Sequence, residues 1–82
     1  MIIEVYSHPD EDPVGVIDYP GPGFPVDIQK LIGLVGQSLA LAKRRTSKND
    51  YFFLDRVKGK LDIYRFGKKN NRPIITLKEK ET

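Results

Sequence analysis

Hydrophobic positions recur at helical spacing in one long stretch of the chain and at near-alternate spacing in several short ones. Between Asp27 and Arg45, the residues Ile28, Leu31, Ile32, Val35, Leu39 and Ala42 fall on one stripe, which Leu34 and Leu41 widen, with Lys30, Gln37 and Arg44 opposite. Residues three and four apart share a helix face, so the pattern predicts an amphipathic helix over residues 26–45. Asp27 is a natural N-cap, because its carboxylate accepts from the free N–H groups of the first turn. Lys43, Arg44 and Arg45 are expected to close the helix, where positive charge complements its dipole. The run Thr46 to Asp50 (TSKND) ends it.

Short apolar runs flank this helix. Ile2, Ile3, Val5 and Tyr6 suit a first strand and Val14, Val16 and Ile17 a second, joined through the turn SHPDEDP as a hairpin. Tyr19 to Pro25 (YPGPGFP) holds three prolines, which remove backbone donors, and reads as a stiff connector. Tyr51–Val57 and Lys60–Phe66 then flank Lys58-Gly59, a two-residue hairpin loop with Gly where φ must be positive. That loop pairs Tyr51 with Phe66 and Phe53 with Tyr64 on one face. On the other it pairs Phe52 with Arg65, Leu54 with Ile63 and Arg56 with Leu61. A longer turn, Gly67 to Arg72, leads into a last strand, Pro73–Lys78, which its proline marks as an edge strand. The whole predicts one α+β domain of 82 residues in the order ββαβββ. Residues 1–25 form an acidic hairpin and connector, 26–45 the helix, and 51–79 a basic β-meander.

Both faces of this meander are apolar, one carrying Tyr51, Phe53, Val57, Tyr64 and Phe66 and the other Phe52, Leu54, Leu61 and Ile63. A sheet with one wet face alternates apolar and polar residues, so a second cover is implied. The aromatic set reads as core beneath the helix. Phe52, Leu54, Leu61 and Ile63 are then the candidate partner interface, facing a second copy in a homodimer or another protein. Gly33, Gly36 and Ala40 form a small-residue strip on the polar side of the helix. Glycine weakens a helix by about 1 kcal/mol relative to alanine, so the strip marks either a close approach by another backbone or tolerated drift.

Charge adds a second candidate. The first 29 residues hold six acids and no Lys or Arg, and the remainder holds fourteen Lys and Arg against five acids. A net charge of +3 thus hides an acidic leader and a basic body, an asymmetry that bears on partners rather than on fold. Lys43, Arg44 and Arg45 at the helix exit, with Lys68, Lys69 and Arg72 at the last turn, are candidate phosphate contacts for nucleic acid. The competing reading is a solvated rim. No zinc finger, GXXG clamp or other reader motif accompanies the cations, and the acidic leader weighs against an open anion-binding surface.

The remaining chemistry is mostly excluded. With no cysteine, disulfides and thiolate metal sites are ruled out. His8, Asp10, Glu11 and Asp12 are hard-metal donor types, but a Pro-bounded loop reads as a solvated acidic turn. His8 has no evident group to orient it, and Ser7, Ser38 and Ser47 lack the surroundings of a nucleophile. No phosphate-cradling loop is present, and the PxxP spacing of Pro22 to Pro25 reads as connector rather than ligand. No enzyme activity and no cofactor are therefore expected. No apolar run approaches the roughly 20 residues that cross a bilayer, and an acidic start is unlike a signal peptide, so a cytoplasmic protein without a membrane partner is expected. The leading expectation is a small non-enzymatic binding or regulatory module that self-associates through an apolar sheet face. The alternative is a nucleic-acid-binding protein that uses the basic turn and helix exit.

Overall fold

A computed structural model describes residues 1–7, 11–67 and 72–80. Its elements follow the expected order: β1 (Ile2–Tyr6), β2 (Gly15–Asp18), α1 (Ile28–Leu41), β3 (Asp50–Asp55), β4 (Lys60–Arg65) and β5 (Ile75–Glu79). The class is α+β: one helix lies on one antiparallel sheet with strand order β2-β1-β5-β4-β3. The N-terminal hairpin joins the meander through β1 and β5, in a register that sets Val5 beside Leu77 and Ile3 beside Glu79. The last strand is thus central, not the edge that Pro73 suggested. Pro73 lies before the strand begins, so its missing N–H removes no ladder bond.

Alternation then sorts the residues. Ile3 and Val5 of β1, Ile17 of β2, Leu61 and Ile63 of β4, and Ile75 and Leu77 of β5 are buried on one face. Leu31, Leu34, Val35 and Leu39 of α1 close over them. Each such side chain contributes about 1.5–3 kcal/mol when fully buried. The buried stripe of the helix is rotated from the one expected, for Leu34 and Ser38 lie inside while Ile28 and Ile32 are about half exposed. Ser38 is tolerated in the interior because its hydroxyl donates to the Leu34 carbonyl at 2.7 Å.

The helix is shorter than residues 26–45. Asp27 caps it as expected, accepting from the Gln29 N–H at 2.8 Å. Its end comes at Leu41, because Lys43 adopts a left-handed backbone with φ 58°. Lys43 N–H then bonds to Ala40 O and Arg44 N–H to Leu39 O, the paired bonds that satisfy the last carbonyls of a helix. Lys43, Arg44 and Arg45 therefore lie beyond the helix rather than in its last turn.

The β3–β4 turn also differs. The strands pair Tyr51 with Tyr64, Phe52 with Ile63, Phe53 with Asp62 and Leu54 with Leu61, two residues from the expected register. The loop is Arg56 to Gly59, held by Asp55, whose Oδ1 accepts from the N–H groups of Val57 and Lys58 at 3.1 Å each. Gly59 supplies the positive φ of 60° that closes it. A slip of two preserves the faces, so the grouping of residues by face survives.

Candidate functional site

The helix covers the face carrying Phe52, Leu54, Leu61 and Ile63, which reverses the expected assignment. Leu61 and Ile63 are fully buried inside the chain, with Phe52 and Leu54 packed against the same core. The physical reason is continuity: Leu61 and Ile63 stand beside Leu77 and Ile75, which in turn meet β1, so one aliphatic layer runs across four strands. The aromatic set stays on the opposite, uncovered face.

There the rings assemble into one cluster. Tyr51 sits at its centre, its ring 4.5 Å from Phe66, 5.5 Å from Tyr64 and 5.7 Å from Phe53. Phe53 and Tyr64 meet edge to face at 5.7 Å. Such separations suit favourable ring pairs, worth about 0.5–1.5 kcal/mol each beyond area burial. Phe53 and Phe66 nevertheless remain 63% and 68% exposed. Toward the middle of the same face the surface becomes polar. Lys60 lies 3.6 Å from Asp62, whose other oxygen accepts from the Thr76 hydroxyl at 2.7 Å. Lys78 stands 4.9 Å above the Tyr6 ring. Burial and the neighbouring Glu4 carboxylate push the Tyr6 phenol above its ordinary pKa. With Glu4, Asp18, Asp55 and Asp62 set against Lys60 and Lys78, the face is not a positive surface.

The other side of β3 is also apolar. A cleft of about 170 Å3 opens between α1 and this strand, lined by Ile32, Val35, Gly36, Leu39, Phe52 and Ile63 among others. Apart from adjacent residues and the helix's own backbone, no atom lies within 4 Å of where a side chain on Gly33 or Gly36 would begin. The small-residue strip is therefore not used to approach any other part of the described chain.

The candidate phosphate contacts are only partly described. Lys68 and Lys69 lie outside the described residues, as do His8 and Asp10. Lys43, Arg45 and Arg72 are exposed and Arg44 is half-buried. The topology puts the helix exit, the start of β3 and the end of β4 at one end of the sheet, where Arg65 Nη2 donates to the Arg45 carbonyl at 2.9 Å. The exposed acids Glu11 and Asp12, in the β1–β2 connection, belong to that same end.

Two features of the sheet ends had no clear sequence signal. Arg65 and Asp50 form a forked pair, Nε to Oδ1 at 2.6 Å and Nη2 to Oδ2 at 3.1 Å. The Arg65 hydrogen bond lowers the Asp50 pKa, and its reciprocal raises that of Arg65. At the opposite end, Arg56 donates to the carbonyls of Phe24 and Pro25 at 3.0 Å each, clasping the connector onto the sheet. Phe24 is buried there.

Among the described residues no group of three or more His, Asp or Glu side chains is placed to hold a metal ion, and no helix is long and apolar enough to cross a membrane. Compared with known proteins, the chain matches no family model, no curated protein and no solved structure.

Proposed function

We propose that the chain is a small non-enzymatic binding module that self-associates through the β3–β4 side of its sheet. The observation that supports this is the aromatic cluster of Tyr51, Phe53, Tyr64 and Phe66 on the face that the helix does not cover. Contiguous aromatic surface of this kind is uncommon on monomers, because leaving it wet forfeits the free energy of burial. Aromatic residues with few charges among them are also the composition of interface centres. The excess of carboxylates over lysines on the surrounding face favours another protein surface over a polyanion.

Analytical ultracentrifugation of the wild type and of a Phe53→Glu, Phe66→Glu variant tests the reading. Both side chains are exposed, so the variant keeps its fold, which circular dichroism verifies. The expected result is a wild-type dimer at micromolar concentration and a monomeric variant. A wild type that stays monomeric at millimolar concentration overturns self-association. Salt-sensitive binding of single-stranded DNA, lost in the same variant, would assign the rings to base stacking instead.

A further inference from the structure

Among the described strands none pairs with the outer edge of β3, which ends the sheet, and its only charges, Asp50 and Asp55, stand at its two ends. Phe66 N–H donates to Asn49 O at 3.1 Å, which places Asn49 and Phe66 in the hydrogen-bonding phase of the antiparallel ladder, although the Asn49 N–H itself turns to the Ser47 hydroxyl. Pairs two residues further on share that character, so Tyr51 and Phe53 spend their backbone groups on β4. The N–H and C=O groups of Phe52 and Leu54 point away from the sheet. Asp50 N–H points the same way and is satisfied by the Ser47 carbonyl at 3.0 Å.

Edges of this kind are usually blunted by Lys, Pro, a bulge or extreme shortness. The other edge, β2, is only four residues long. β3 runs six residues, DYFFLD, with no Lys, no Pro and an unbroken register. Apolar surface flanks it on both sides: the aromatic cluster on the open face, and the cleft beside Ile32, Gly36 and Phe52 under the helix.

We infer that β3 pairs antiparallel with β3 of a second copy about a two-fold axis, joining the two sheets into one. The inference rests on the self-association proposed above and names its geometry. An extended backbone is the partner that meets alternating donors and acceptors in this spacing. The strand is also compatible with itself. Residues on one face oppose residues on the same face only in registers centred on a residue. Centring on Phe52 sets Tyr51 opposite Phe53 of the second copy, twice, on the aromatic face. The same register sets Asp55 opposite Asn49, next to Lys48, so no two carboxylates face each other. An isologous contact of this form closes as a dimer, which consumes the edge rather than propagating it.

Amide hydrogen exchange of the wild-type protein, followed by NMR above and below the association midpoint set by ultracentrifugation, tests the geometry. The amides of Phe52 and Leu54 should exchange at least about tenfold more slowly in the associated state, a difference worth about 1.4 kcal/mol. Those of Tyr51 and Phe53, already bonded to β4, serve as slow references at both concentrations. Association that leaves Phe52 and Leu54 in fast exchange overturns edge pairing while leaving self-association intact. A protein monomeric throughout overturns both.

Discussion

Asp50 shows at the scale of one residue how much chemistry a sequence conceals. Its carboxylate accepts a fork from Arg65 and the Ser47 N–H at 2.9 Å, with a side chain only 9% exposed. Nothing in the spacing of Asp50 and Arg65 announced this pair, because it required the β3–β4 register to be known to the residue. The register expected from a two-residue loop had placed Phe52, not Asp50, opposite Arg65. The consequence is a definite pH dependence. Arg65 holds the Asp50 carboxyl below its ordinary range, so the folded state prefers the charged form more than the unfolded state does. The stabilisation is complete above the unfolded carboxyl value of about 3.9 and is lost as pH falls through the lower, folded value. Urea titrations from pH 7 to pH 2 should show this loss in the wild type. In Asp50→Asn, stability should be lower by about 2 kcal/mol at pH 7 and should fall less steeply in acid. Equal acid slopes in the two proteins would remove Asp50 as a source of the effect.

Elements were legible where their signals were local. Asp27, followed by apolar residues at helical spacing, announced the start of α1, and its end was missed because the stop is a backbone event without the usual glycine. Lys43 takes the left-handed conformation itself, a state that disfavours side chains with a Cβ by about 1–2 kcal/mol. Lys43→Gly should therefore stabilise the protein by about 1 kcal/mol, raising the melting temperature by about 4–8 °C. A calorimetric scan that shows no rise would mean that the lysine side chain offsets its own strain. The β3–β4 hairpin was legible in its strands and faces, not in its loop. Asp55 acts as a local acceptor for Val57 and Lys58, and this lengthened the turn by two residues. Since the change is even, every side chain kept its face. The assignment of the helix to one of those faces could not be read from β3 and β4 alone. It depended on Ile75, Leu77, Ile3 and Val5 continuing the aliphatic layer of Leu61 and Ile63.

At the scale of the whole molecule, the decisive contact is between β1 and β5, near opposite ends of the chain. Such pairing carries no local signature, and it is what makes β5 central and leaves β3 as the exposed edge. The aromatic cluster is a consequence of that order. β4 has a neighbour on each side, but β5 sets Thr76 and Lys78 beside Asp62 and Lys60, so the rings of β4 meet other rings only on β3. If copies of the folded chain meet there, association must stabilise the fold by mass action, because the unfolded chain presents no such surface. Raising the total protein concentration from near the dissociation constant to a hundredfold above it should then add about 1 kcal/mol per chain, since free monomer rises only as the square root of the total. For a domain of this size that is a rise in melting temperature of about 4–8 °C. Phe53→Glu with Phe66→Glu should flatten the dependence, from a dilute-limit melting temperature lowered by the loss of the ring pairs with Tyr51 and Tyr64. A wild-type melting temperature that does not move over that range would mean that the folded chain carries its aromatic face alone. The edge of β3 would then be unguarded in fact as well as in sequence.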